Sequence, residues 1–305
     1  MKKLASGQWA AEFGNITIGG EAGENPTVLI GSVFYSGHDI IKDERSGEFD
    51  RMKAEDELSK CVAFSEKTGI PLIIDVISSY SESLIKWCEF IADYTNVPFL
   101  VDGVNHETRL AAIEKMHEGG FQDRAIYNCI DGVTSNETLD RIRELHVDKA
   151  IILCFDKMAI TPDRKIKLLQ GDGNSVGLIE KVEAAGIEDY VIDAGVIDIP
   201  SIGIAAETIK LIKSQLKLPA GCAPINAISV WPNRNLFGRG GYSATTSAVV
   251  SYLRESGADW LIYGSINKAS MAFPGIAVTD NISAYVRSMY KRKKAKKTIF
   301  FNELR

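Results

Sequence analysis

One design, repeated eight times, limits what this chain can fold into. A short apolar run, the length of a strand, ends in most cases at or near an Asp or Asn. The runs are Thr27-Val-Leu-Ile-Gly-Ser32, Leu72-Ile-Ile-Asp75, Phe99-Leu-Val-Asp102, Ile126-Tyr-Asn128-Cys-Ile-Asp131, Ile151-Ile-Leu-Cys-Phe-Asp156, Tyr190-Val-Ile-Asp193, Pro224-Ile-Asn226-Ala227 and Trp260-Leu-Ile-Tyr-Gly-Ser265. Continuous apolar runs of this length read as strands buried on both faces. A carboxylate at the end of such a strand is costly unless something pairs with it.

Between the runs the period changes to that of helices. Leu58, Cys61, Val62 and Ser65 share one helical face, and Leu84, Trp87, Cys88 and Ile91 another. Thr134-Ser-Asn-Glu137 reads as a capping box opening a helix. A final helix is expected over about Asp280–Lys291, with Ile282, Tyr285, Val286 and Met289 facing the strands. Eight β-α units favour a closed (β/α)8 barrel over an open sheet. No Gly-x-Gly-x-x-Gly follows any strand, so a dinucleotide fold is disfavoured. The 305 residues suit one barrel domain with a modest extension. Residues 1–26 should form a hairpin that plugs the barrel floor, and residues 291–305 a basic tail.

Charge and composition exclude several classes. A net charge of −5 argues against general nucleic-acid binding, and Lys291–Lys297 reads as a solvated run. No run approaches a membrane span, and the N-terminus lacks a signal peptide's apolar stretch. A cytoplasmic location follows as an expectation. The five cysteines are scattered through apolar runs and read as reduced core thiols.

In a barrel the strand ends converge at the C-terminal mouth, where catalytic groups lie. Asp75, Asp102, Asn128, Asp156, Asp193 and Asn226 should therefore meet there. Any one of them could equally cap a helix or tie down a loop. His38 and His106 are loop candidates at the mouth. Lys157 and Lys268 follow strands and read as surface residues. No strand interior carries Lys or His, which argues against a Schiff-base aldolase, a His–Asp pair or a His-rich metal site. Asp accepts from ring N–H groups, and Asn donates and accepts at once. A planar heterocycle with several N–H donors, such as a pterin or purine, suits that set. Arg234 and Arg239 are the best anion-binding candidates.

Val101-Asp-Gly103, Tyr127-Asn-Cys129, Ile192-Asp-Ala194 and Ile225-Asn-Ala227 resemble the pterin-binding barrels, which include dihydropteroate synthase and corrinoid-linked methyltransferases. Over nearly the full length, the chain more closely resembles the MtrH component of tetrahydromethanopterin S-methyltransferase and its bacterial relatives. Gly31-Ser-Val-Phe-Tyr35 with His38-Asp39, Asp102-Gly-Val-Asn105, Ala223-Pro-Ile-Asn226 and Gly264-Ser-Ile-Asn267 carry this likeness. Those bacterial relatives move methyl groups between a methylated corrinoid protein and tetrahydrofolate, as in glycine betaine demethylation.

The resemblance implies that Asp102, Asn128 and Asp193 hold the pterin ring, with Asp75 a further contact, and that Asn226 lies beside N5. Asn226 and Asp193 would then carry the catalysis, with Arg234 or Arg239 on a folate tail. It implies tetrahydrofolate as methyl acceptor, no bound metal, and a corrinoid (cobalamin) brought by a partner protein docking over the mouth, since no Asp-x-His-x-x-Gly motif is present. It also implies a homodimer; Ile299-Phe-Phe301, an apolar trio after the basic run, either folds back on its own barrel or docks on the second subunit. A tetrahydromethanopterin-specific methyltransferase component and a barrel lyase or isomerase acting on a phosphorylated sugar are the alternative readings.

Overall fold

Successive side chains of a strand point to opposite faces, so each apolar run must satisfy two environments at once. The structure, a computed structural model, describes residues 1–234, 236–296 and 298, apart from the side chain of Arg239. Eight strands pair in parallel: β1 (Val28–Val33), β2 (Leu72–Ser78), β3 (Phe99–Gly103), β4 (Ala125–Ile130), β5 (Lys149–Leu153), β6 (Asp189–Asp193), β7 (Ala220–Cys222) and β8 (Trp260–Ser265). They close into a barrel in chain order, with β8 returning to β1 through Trp260 opposite Val28.

The outward set, including Leu29, Ile74, Val101, Tyr127, Ile152, Ile192 and Leu261, packs into the core shared with the helices. The helices are α1 (Arg51–Thr68), α2 (Ser81–Tyr94), α3 (His106–Glu118), α4 (Asn136–Glu144), α5 (Pro162–Gln170), α6 (Leu178–Ala184), α7 (Ser201–Leu211), α8 (Ile225–Val230), α9 (Gly238–Glu255) and α10 (Ala269–Tyr285). Their starts are set by local chemistry. Asp50, Asn105 and Ser135 accept the N–H of Lys53, Thr108 and Thr138 at the first turns of α1, α3 and α4. The cap of α4 is thus Ser135, one residue later than the capping-box reading. Thr134 instead turns its hydroxyl onto Asp131, at 2.9 Å.

The inward set is layered. Ile30, Ile73, Leu100, Ile126, Ile151, Val191 and Ile262 form one apolar cluster inside the ring. Two residues further along each strand, the same face carries Ser32, Asp75, Asp102, Asn128, Leu153, Asp193 and Gly264. The period of two therefore places an apolar layer directly beneath a largely polar one.

Below both layers lies the N-terminal sheet of Lys2–Lys3, Trp9–Phe13 and Ile16–Gly19, which is antiparallel. Its Ala11, Phe13, Ile16 and Ile18 belong to the inner cluster and close the floor. Each large apolar side chain so buried contributes about 1.5–3 kcal/mol. The plug has one strand more than the expected hairpin.

Two elements differ from expectation. β7 ends at Cys222, and Ile225–Val230 is helix α8, so Asn226 sits on a helical first turn. Pro224 has no N–H to continue the sheet, which ends the strand early. The last helix begins at Ala269, not near Asp280, and is apolar nearly all round. Its barrel side is Ala272, Phe273, Ile276, Ala277 and Ala284, whereas Ile282, Val286 and Met289 face outward, 60%, 43% and 59% exposed. No described helix is long and apolar enough to cross a membrane.

Candidate active site

The top inward layer opens into a cavity of about 540 Å³ at the C-terminal mouth. Asp75, Asp102, Asn128, Asp193 and Asn226 all line it. A larger hollow of about 820 Å³ lies at the opposite end against Met1, Trp9 and Tyr190. It is built from helix ends and the N-terminal sheet, and no inward strand-end side chain reaches it.

The carboxylates sit where charge is expensive. The Ser32 hydroxyl donates to Asp75 Oδ2 at 2.7 Å, while Oδ1 of the same group is buried with no partner among the described residues. Burial pushes the Asp75 carboxyl up to about 6, with the Ser32 hydrogen bond and the nearby Asn128 amide opposing. Asp102 is pushed well above the ordinary carboxylate range, first by burial and then by the charge of Asp75, with Arg109 opposing. Asp193 is raised by burial to about 6, held down by the Gly195 N–H, 2.7 Å from Oδ1, and by Lys165. Ser265 adds a second buried oxygen without a partner. A buried acceptor left unmatched costs roughly 1–3 kcal/mol, so the site is poised for donors from a ligand.

Asn226 is exposed to the cavity from the first turn of α8. Across from it, Lys268 donates to the Tyr242 hydroxyl at 3.1 Å, and that hydroxyl lies 3.0 Å from Ser229 Oγ. This chain ties α8 and α9 to the turn after β8 and places a cation on the cavity wall. Lys268 is therefore a site residue and not the surface lysine its position after a strand suggested.

The first loop is fixed from below. Phe34 has φ +61°, a conformation unusual for a bulky side chain, and stacks on Trp87 at 4.7 Å. His38 Nδ1 accepts the Phe34 N–H at 3.2 Å and its Nε2 lies 3.1 Å from Glu57. Tyr35, on the cavity wall, stacks on the His38 ring at 4.5 Å. His38 thus supports the mouth without entering it. His38, Asp39 and Glu57 are close enough to share a metal ion. However, accepting from Phe34 puts the neutral ring's proton on Nε2, aimed at Glu57, and Lys53 pairs with Asp39 at 2.5 Å. The three groups are satisfied by one another and their neighbours.

Several expected residues lie elsewhere. Asp156 follows the end of β5 and accepts the Met158 N–H at 2.7 Å, outside the cavity. His106 bonds to Tyr127 and Thr134. Arg234 is exposed, its guanidinium 3.4 Å from the Trp231 carbonyl, and does not line the cavity. The side chain of Arg239 lies outside the described residues. Ser32, Tyr35, Ser229 and Ser265 are wall residues to which sequence reasoning assigned no part in pterin binding.

Around the rim, the loops after five successive strands expose apolar side chains: Val104, Val133, Met158 and Ile160, Ile197, then Val230, Leu236 and Phe237.

The family profile described as "Tetrahydromethanopterin S-methyltransferase MtrH subunit" matches residues 6–293. The MtrH protein of tetrahydromethanopterin S-methyltransferase from Methanothermobacter thermautotrophicus is 33% identical over 279 residues, covering 90% of each chain. Its counterpart from Methanocaldococcus jannaschii is 31% identical over 299 residues, covering 93% of this chain and 94% of its own. Among solved structures, Yersinia pestis dihydropteroate synthase with a pterin–sulfa conjugate aligns with TM-score 0.60 at 12% identity, over 89% of this chain and 99% of its own. Xanthomonas albilineans dihydropteroate synthase aligns with TM-score 0.57 at 15% identity, over 90% of this chain and 97% of its own. At such identities the structural likeness speaks for the barrel fold alone.

Proposed function

The chain belongs to the MtrH family of tetrahydromethanopterin S-methyltransferase, and from that premise we propose that it moves a methyl group between N5 of a tetrahydropterin and a corrinoid on a partner protein. The observation that carries this reading is the ring of polar side chains lining one cavity, Asp75, Asp102, Asn128, Asp193 and Asn226, with Asp75 Oδ1 lacking a partner among the described residues. A pterin ring presents N–H donors in one plane, which is what Asp75, Asp102 and Asp193 lack. Asp102, Asn128 and Asp193 would hold the ring. Asn226 would lie beside N5, able to accept from N5–H or donate to its lone pair. Positioning and fixed dipoles would supply most of the rate, since Asn226 at N5 is not itself a proton donor of matched pKa.

The corrinoid supplies a cobalt centre that carries the methyl group. Its protein would dock over the mouth, a reading supported by the rim of exposed apolar side chains. The relatives' names specify tetrahydromethanopterin, which favours that pterin over the tetrahydrofolate expected from the bacterial resemblance. Membership of a methyltransferase family also weighs against the phosphorylated-sugar reading. The test is methyl transfer from methylcobalamin to each tetrahydropterin, followed as the methylcobalamin absorbance decays. Transfer to tetrahydrofolate alone would exchange the pterin and keep the reaction. Absence of transfer to either, with the corrinoid protein supplied, would overturn it.

The assembly we propose is a homodimer through the outward stripe of α10, where Val278 and Ile282 are exposed with Met289 beyond them. Ile299–Phe301, the expected tail contribution, lie outside the described residues. Light scattering should give twice the chain mass, and Ile282→Glu the mass of one chain.

A further inference from the structure

Lys165 is a lysine only 4% exposed that the reaction does not use. It projects from the first turn of α5 to the end of β6. Its ammonium donates to the Ala194 carbonyl and lies 3.5 Å from the Gly195 carbonyl. Gly195 has φ +68°, and a Cβ there would come within 3.2 Å of Lys165 Nζ. That turn is what delivers the Gly195 N–H to Asp193 Oδ1. The Cys154 thiol in turn donates to the Lys165 carbonyl at 3.2 Å, fixing the helix end that carries the lysine.

Three thiols sense the charge of Asp193, Cys129 from β4, Cys154 after β5 and Cys222 from β7, and the cavity wall it shares carries Asp75, Asp102 and Lys268. Burial pushes Cys154 up to about 12 and the other two well above the ordinary thiol range, so all three are neutral. Among the described residues, Lys165 is the cation that balances this carboxylate.

We propose that Lys165 is a positioning residue for Asp193: it clamps the Ala194–Gly195 turn that aims the carboxylate into the cavity, and its charge keeps that carboxylate ionised at neutral pH. Asp193 gains its place in pterin binding from the functional reading above, but the clamp and the charge balance do not depend on it.

The test uses the full chain and three variants. Lys165→Arg keeps the charge, Lys165→Gln keeps a donor without the charge, and Lys165→Met removes both. The Asp193 carboxyl is titrated by carbon-13 NMR in ligand-free protein, and tetrahydropterin binding is measured across pH. Loss of a buried counter-charge should move the Asp193 midpoint up by about one pH unit or more in the Gln and Met variants, with Arg near wild type. Pterin affinity at neutral pH should then fall about tenfold in those two and recover at higher pH. An unmoved midpoint in Lys165→Gln would overturn the proposal. So would a wild-type Asp193 that titrates well above neutrality, which needs no variant. Failure of the pterin reading would show separately, as no binding by wild type while the carboxyl titration still responds to Lys165.

Discussion

The two ends of this barrel treat buried charge in opposite ways. At the floor, Asp280 accepts from the Thr27 N–H at 2.6 Å, the Thr27 hydroxyl at 2.9 Å and Arg254 Nε at 2.6 Å. Asp259 takes Lys213 at 2.7 Å and the Ala220 N–H at 2.9 Å. At the mouth, Asp75 has one oxygen bonded to Ser32 and the other unmatched, and Asp102 feels its neighbour's charge. Asp280 comes from α10 and Asp259 from the turn before β8, whereas Asp75 and Asp102 lie on β2 and β3. The floor carboxylates are satisfied inside the protein, and the mouth carboxylates are held in reserve for something that arrives. Burial alone does not separate structure from function here; completeness of pairing does.

Breaking the floor should have the largest effect. Arg254→Ala leaves Asp280 buried without its cation, and such losses cost about 3–5 kcal/mol. Urea unfolding should show it, while the methyl-transfer rate per folded molecule stays near wild type. A mouth defect in that variant would erase the division between the ends. Next comes Asn226→Ala, which removes a polar contact made at the reacting centre. Turnover should fall about 10²-fold, near 2.7 kcal/mol, with unfolding unchanged. Unchanged turnover would remove Asn226 from the chemistry.

The smallest effect is also the most discriminating. Asp75 is raised to about 6 from its ordinary 3.8, so the folded chain binds its proton more tightly than the unfolded chain does. Its contribution to stability is full below the unfolded value and lost as pH rises through about 6. Asp75→Asn should therefore stabilise the protein at neutral pH, on the order of 1 kcal/mol, and this advantage should shrink as pH falls from about 6 towards 4. Pterin binding should weaken in the same variant. A stability loss at neutral pH would mean that Asp75 is a floor-type residue in the wrong place.

The barrel was legible because its signal is periodic. Eight buried runs with helical spacing between them admit few arrangements, and β8 has the expected limits, Trp260–Ser265. The acceptor set was legible because a carboxylate in an apolar run stands out. Asp156 stood out equally and is not in the site. The inward positions of β5 are Ile151 and Leu153, and an Asp five residues after Ile151 falls off that parity. The parity was available in the sequence and would have rejected it. Lys165 was not legible: in Asp163-Arg-Lys165-Ile-Lys167 two lysines look alike, and only the position of α5 over β6 buries one of them. Lys268 and Tyr242 meet from the turn after β8 and from α9, a contact that no local spacing encodes.

The sheet under the floor has one more consequence. With Phe13 and Ile18 filling the lower end, the barrel is a cup with a single rim. Whatever lies deepest must arrive first and leave last, and a macromolecule seated on the rim shuts it in. A pterin held by Asp75 and Asp102 and a protein resting on Val104, Val133 and Phe237 would therefore queue rather than compete, and the waiting order is written into which end was sealed.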